Sequence, residues 1–166
     1  MTFLSWRNEY EVGVPQIDAE HRSLFDLINE FHDAHARSDN RAEIPRLLNR
    51  LVAYAEEHFQ HEEKLMRDND YPLLEKHSGL HSDLVTSVFA INERLAADPA
   101  KAGAETLQLL KNWLADHIVK EDIDFAEFLR RRTSQAIKAR EKARTDKAAE
   151  NAPVASEKKP GPGESA

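Results

Sequence analysis

Cysteine is missing from all 166 residues. Its absence excludes disulfides, zinc–thiolate sites and iron–sulfur clusters, which all draw sulfur from the chain. No run of 18 apolar residues occurs, so nothing in the sequence predicts a membrane-spanning helix. The opening residues, MTFLSWRNEYEV, lack both the basic stretch and the long apolar core of a secretory leader. Positive charge is also scarce: 23 Lys and Arg stand against 30 Asp and Glu, a net charge of −7. That balance argues against nucleic acid or an anionic membrane as partner. The expectation is a cytoplasmic protein with one domain of ordinary size and a short appendage.

What the chain does have is helical periodicity and histidine. Residues 1–17 read as an extended arm, since Tyr10, Val12 and Val14 alternate while Gly13 and Pro15 oppose a helix. Asp18 is then placed to cap a helix carrying Leu24, Phe25, Leu27, Ile28 and Phe31. RSDN breaks it, and Asn40 with Glu43 forms a capping-box pattern for a second helix through Leu47, Leu51, Phe59 and Met66. DNDYP ends that one, because Pro72 disfavours helix at Tyr71. A third helix carries His77, His81, Leu84, Val88 and Ile91. Asp98-Pro99 then opens a fourth, with Leu107, Leu110, Trp113, Leu114, Ile118 and Phe125. Four long amphipathic helices with short loops predict an all-α, up-down-up-down antiparallel bundle over residues 1–132. Residues 133–166 hold only Ile137 and Val154 as large apolar residues. KAREKARTDKAAE is expected to continue the last helix, and KKPGPGESA to be disordered. This tail carries a net charge of +2, which leaves the first 132 residues at −9.

In an antiparallel helix pair, residues equidistant from the connecting turn lie level with one another. His21 and His58 are each about 18 residues from the break at 39–40. Glu62 pairs with His77, and His58 with His81, across 69–70; His81 pairs with His117, and His77 with Asp122, across 99–100. One slice through the bundle therefore takes in His21, His58, Glu62, His77, His81, His117 and Asp122. Residues four apart share a helix face, so HxxxE at 58–62 and HxxxH at 77–81 can each grip metal. His117 and Asp122 fit less well. Five residues turn about 140° on an ideal α-helix, so Asp122 must reach inward or the helix must deform, and spacing alone does not choose Asp122 over Glu121. A lone histidine on an apolar stripe is more often a core residue than a ligand. Seven buried polar groups at one level would cost several kcal/mol if left uncompensated, about the scale of a whole fold's net stability. A metal centre removes that cost. His32 and His35 face the same way as His21 but lie about 16 and 21 Å further along, and His61 lies off the stripe toward solvent.

Five imidazoles and two carboxylates without sulfur suit iron, manganese, zinc or copper. If both carboxylates bridge two metals, and an oxide or hydroxide joins them, five histidines divide three and two. One metal then has six ligands, and the other has five and one open position.

The sequence resembles the hemerythrins, and most closely the bacterial hemerythrins. The resemblance runs from residue 6 to about 128. It rests on Trp6, VGVPQIDAEHRSLFDLIN at 12–29, HFQHEEKLM at 58–66, HSGLH at 77–81 and WLADHIVKED at 113–122. It implies a cofactor of two iron ions, a non-haem, oxo- or hydroxo-bridged di-iron centre that binds dioxygen reversibly. It further implies that His77, His81 and His117 hold the six-coordinate iron, His21 and His58 the open one, and that Glu62 and Asp122 bridge them. Trp113, Leu114 and Ile118 are candidate lining of the oxygen pocket. The implied role is carriage, storage or delivery of oxygen to an oxygen-consuming enzyme; a di-iron oxidase or peroxidase and an oxygen or iron sensor are the competing readings.

Overall fold

The computed structural model of the chain describes residues 2–37, 43–95 and 98–150. Its helices are α1 (Pro15–Arg37), α2 (Glu43–Asp68), α3 (Leu74–Leu95), α4 (Pro99–His117) and α5 (Ile123–Glu150), with a single π-turn, Ile118–Asp122, joining the last two. No strand occurs among the described residues. The helices touch in cyclic order, α1 on α2, α2 on α3, α3 on α4 and α4 on α1, which is the antiparallel four-helix bundle that the periodicity predicts.

The first compact unit ends at Leu129. Its main core joins residues of all four bundle helices, among them Phe31, Leu48, Leu84 and Leu114, each worth about 1.5–3 kcal/mol on full burial. A smaller cluster of Met66, Tyr71 and Phe125 lies toward the other end. Residues 58–62, 77–81 and 117–122 fall between the two clusters in their helices, so the polar slice is closed by apolar side chains above and below. The second unit begins at Arg130 and contains the remainder of α5, where side chains 131–148 are all exposed. The stretch KAREKARTDKAAE is thus helical, as expected; KKPGPGESA lies outside the described residues.

The arm departs from expectation. It contains a 3-10 turn at Asn8–Tyr10, and α1 begins at Pro15, three residues before Asp18. Proline suits a first helical position because its missing N–H would have had no partner there. Asp18 therefore sits inside the first turn, where its carboxylate accepts from the Val12 and Gly13 amides at 2.8 and 3.0 Å. Gly13 has φ of 82°, a left-handed conformation that side chains disfavour, and this lets the arm fold back. The Asn29 side chain then holds the Leu4 backbone by two hydrogen bonds, and Trp6 packs edge-on against Phe25.

Two helix boundaries follow their sequence signals. After α2, Asp70 takes φ of 54°, Tyr71 N–H donates to Met66 O, and Asp70 N–H donates to Arg67 O, a closed Schellman end just before Pro72. At α4 the Asp98 side chain accepts from Lys101 N–H at 3.1 Å and Pro99 opens the helix. The Asn40 half of the other capping pattern lies outside the described residues.

Candidate metal centre

All seven residues of the predicted slice converge, and each is at most 5% exposed. α1 supplies His21, α2 His58 and Glu62, α3 His77 and His81, and α4 His117. The π-turn supplies Asp122. Of the two outcomes the five-residue spacing allows, it is the local deformation: Ile123 N–H bonds to Ile118 O, five residues back. Five residues then make roughly one turn, and Asp122 Oδ1 reaches within 3.1 Å of His117 Nε2. Glu121 points the other way, to Lys76 at 2.7 Å, so the turn selects Asp122 over its acidic neighbour.

The candidate ligand atoms fall into two sets. Atoms of Glu62, His77, His81 and His117 lie within 4.8 Å of one another, as do those of His21, His58 and Glu62. Glu62 belongs to both. Asp122 faces both ways: Oδ1 lies 3.1 and 3.3 Å from Nε2 of His117 and His77, and Oδ2 lies 3.3 Å from Nε2 of His21.

A cation suits this arrangement on physical grounds. The Nε2 atoms of His81 and His117 are 3.0 Å apart, and those of His117 and His77 3.1 Å. His81 Nδ1 sits 2.9 Å from Glu63 Oε1 and must donate to that carboxylate, so its Nε2 carries a lone pair aimed at its neighbours. Both ring nitrogens of His21, Glu62 Oε1 and both Asp122 oxygens are buried without a well-formed hydrogen bond. Each such group costs about 1–3 kcal/mol unless something satisfies it.

The family model described as the hemerythrin HHE cation binding domain matches residues 12–129. The chain belongs to the hemerythrin family. A bacteriohemerythrin of Pseudomonas aeruginosa is 30% identical over 138 residues, 83% of this chain and 89% of that protein. A myohemerythrin of Theromyzon tessulatum is 32% identical over 120 residues, 72% and 88% of the two chains. A crystal structure of wild-type hemerythrin superposes with a TM-score of 0.69 at 29% identity, covering 75% of this chain and 96% of that one. Hemerythrins bind oxygen at a pair of non-haem iron ions, and the histidine–carboxylate cluster of this hemerythrin suits that cofactor. Among its described residues no helix is long and apolar enough to cross a membrane.

Protons compete for the same atoms. Burial by itself lowers the pKa values of His21 and His77, but the Asp122 and Glu62 carboxylates beside them outweigh it, and both stand above the ordinary value. Glu62 is buried, yet its hydrogen bond from His77 and the imidazoles around it hold it well below the usual carboxylate range. In the metal-free protein, the stability these histidines contribute is present below the unfolded value near 6.5 and is lost as pH rises through their raised values. Metal needs them deprotonated. The melting-temperature gap between iron-loaded and metal-free protein is therefore expected to widen from about pH 6 to about pH 8. A gap that narrows over this range contradicts the assignment.

The three remaining histidines lie elsewhere. His32 stacks on Phe3 at 4.6 Å, and His35 packs against Gly103 of α4, where an added Cβ would fall 2.3 Å from the ring. His61 is half exposed, as expected, but its Nδ1 lies 2.8 Å from Glu20. Glu20 and Glu63, which back His58 and His81, were not singled out by spacing. The available signal was their adjacency to His21 and Glu62. Of the apolar candidates, Trp113 stacks on His117 at 4.1 Å and meets Phe59, whose ring stacks on His81 at 3.8 Å. Trp113 and Leu114 line an apolar cavity of about 30 Å³, while Ile118, fully buried, is not among its walls.

Proposed function

We propose that this hemerythrin binds dioxygen reversibly and serves as an oxygen carrier, store or donor to an oxygen-consuming enzyme. In this reading His77, His81 and His117 would hold one iron and His21 and His58 the other, with Glu62 and Asp122 shared between them. The observation that carries it is the uneven three-and-two division of the histidines around two shared carboxylates. An uneven division gives one iron fewer protein ligands, and so a place for a small molecule. When bound, the iron pair supplies two electrons to dioxygen and takes them back on release.

The protein's part is to hold and to exclude. The π-turn aims Asp122 between the two histidine sets. The Phe59 and Trp113 rings lie flat on His81 and His117, which limits the approach of water from that side. Keeping water away slows proton delivery and so protects reversibility. Metal analysis of the native protein is expected to give two irons per chain, and anaerobic titration of the reduced form one dioxygen per pair. One iron per chain, or a pair of zinc ions, defeats the reading.

In the same proposal residues 1–132 are the working module and 133–166 an appendage. A chain ending at Arg140 discards only exposed helix and residues beyond it. It is expected to melt within about 2 °C of full length, the scale of neutral surface changes, with oxygen affinity unchanged. A larger fall by calorimetry would assign the appendage a structural role.

A further inference from the structure

Glu20 occupies the position just before His21, and its carboxylate is held from both sides. His58 Nδ1 lies 2.9 Å from Oε2, His61 Nδ1 lies 2.8 Å from Oε1, and Gln16 Nε2 donates to Oε1 at 2.9 Å. An ionised carboxylate only accepts, so both imidazoles donate through Nδ1. The Glu20 side chain is 13% exposed, that of His58 1% and that of His61 41%. The row therefore runs from the protein surface to a buried imidazole of the metal centre.

We propose that Glu20, clamped by His61, is the positioning residue of His58 and sets how tightly the two-histidine end of the centre holds its metal ion. The inference rests on the ligand assignment above. A histidine whose Nδ1–H is committed to a carboxylate presents only Nε2 as a lone pair, in a fixed ring orientation and with increased basicity. That end of the site depends on this contact more than the other. Its second histidine, His21, has a buried Nδ1 without a partner, so nothing comparable orients it. At the three-histidine end His77 Nδ1 is likewise buried without a partner, but there the Glu63 contact to His81 is one support among three ligands.

His61 has a distinct part. Without it, Oε1 of Glu20 keeps only Gln16, an exposed side chain one turn earlier on the same helix. The carboxylate is then free to rotate away from His58. His61 is thus a surface residue with a buried consequence, and it can be replaced without disturbing the core.

The test is competition between ferrous iron and a chelator under anaerobic conditions, resolved into the two successive ion losses, with the reduction potential of the pair as a second readout. Wild type is measured first, and a wild-type chain that takes up fewer than two ions refutes the ligand assignment itself. Glu20→Ala is expected to weaken one ion by about 10–100-fold and leave the other as in wild type, the usual effect of removing such a partner. His61→Ala should weaken the same ion several-fold and shift the potential, while its metal-free melting temperature stays unchanged. His61→Gln, whose amide can still donate to Oε1, should restore both. Wild-type affinity for both ions in Glu20→Ala overturns the proposal. Equal weakening of both ions also overturns it, since that marks general damage. Wild-type behaviour in His61→Ala removes the clamp.

Discussion

Replacing His117 with alanine is expected to abolish retention of the iron pair through purification and to lower the melting temperature of protein prepared with iron by about 10–15 °C. A ligand present at about a thousand times its dissociation constant stabilises a fold by about 4 kcal/mol, and each kcal/mol moves the midpoint of a domain of this size by about 2–4 °C. His117 stands at the crossing of the site, with its Nε2 within 3.1 Å of His77, His81 and Asp122. His77→Ala should behave alike. Metal-free samples provide the control. There the substitution still costs the packing of a buried ring stacked on Trp113, so the part due to metal is the difference between the iron-loaded and metal-free falls. His32→Ala and His35→Ala should keep both irons, since these side chains contact Phe3 and α4 rather than the cluster. Iron loss from either, read by metal analysis, contradicts the geometric separation.

The reduced, iron-loaded protein is expected to gain a visible absorption band in air and to lose it when oxygen is stripped away, through many cycles before slow autoxidation. The grounds are the donor set and the enclosure. Five neutral imidazoles with two carboxylates donate less charge than the carboxylate-rich sites of oxygen-activating bundles, and so support high-valent iron less well. In the proposed ligand set three histidines fill one end, which leaves the two-histidine end as the place for a small molecule. Cleaving dioxygen would also need protons and reductant delivered to a polar layer that apolar clusters close above and below. Steady consumption of an added reductant, or a band that never fades on deoxygenation, would transfer the protein to the oxidase or peroxidase class.

Much of this site is legible in the sequence, because antiparallel hairpins convert sequence distance into height. His58 and His81 are level for the same reason that their helices are joined at residues 69–70, and no side-chain detail is needed to see it. Local geometry was harder to read. Spacing shows that His117 and Asp122 conflict on an α-helix, but it does not show that the conflict is resolved by one wide turn, with Glu121 drawn outward by Lys76. Asp18 carries the ordinary signal of a helix cap and instead ties down the arm, because Pro15 starts the helix earlier. Glu20 and Glu63 resemble any other solvated acids on helices rich in them; their role depends on which ring nitrogen they reach.

The flat contact between Trp113 and His117 also makes the protein its own optical gauge. The chain has two tryptophans, and Trp6 sits in the arm against Tyr10 and Phe25. Trp113 lies against an imidazole of the centre, so its excited state is exposed to quenching by whatever occupies that centre. Its emission is expected to change when the centre is filled or oxidised.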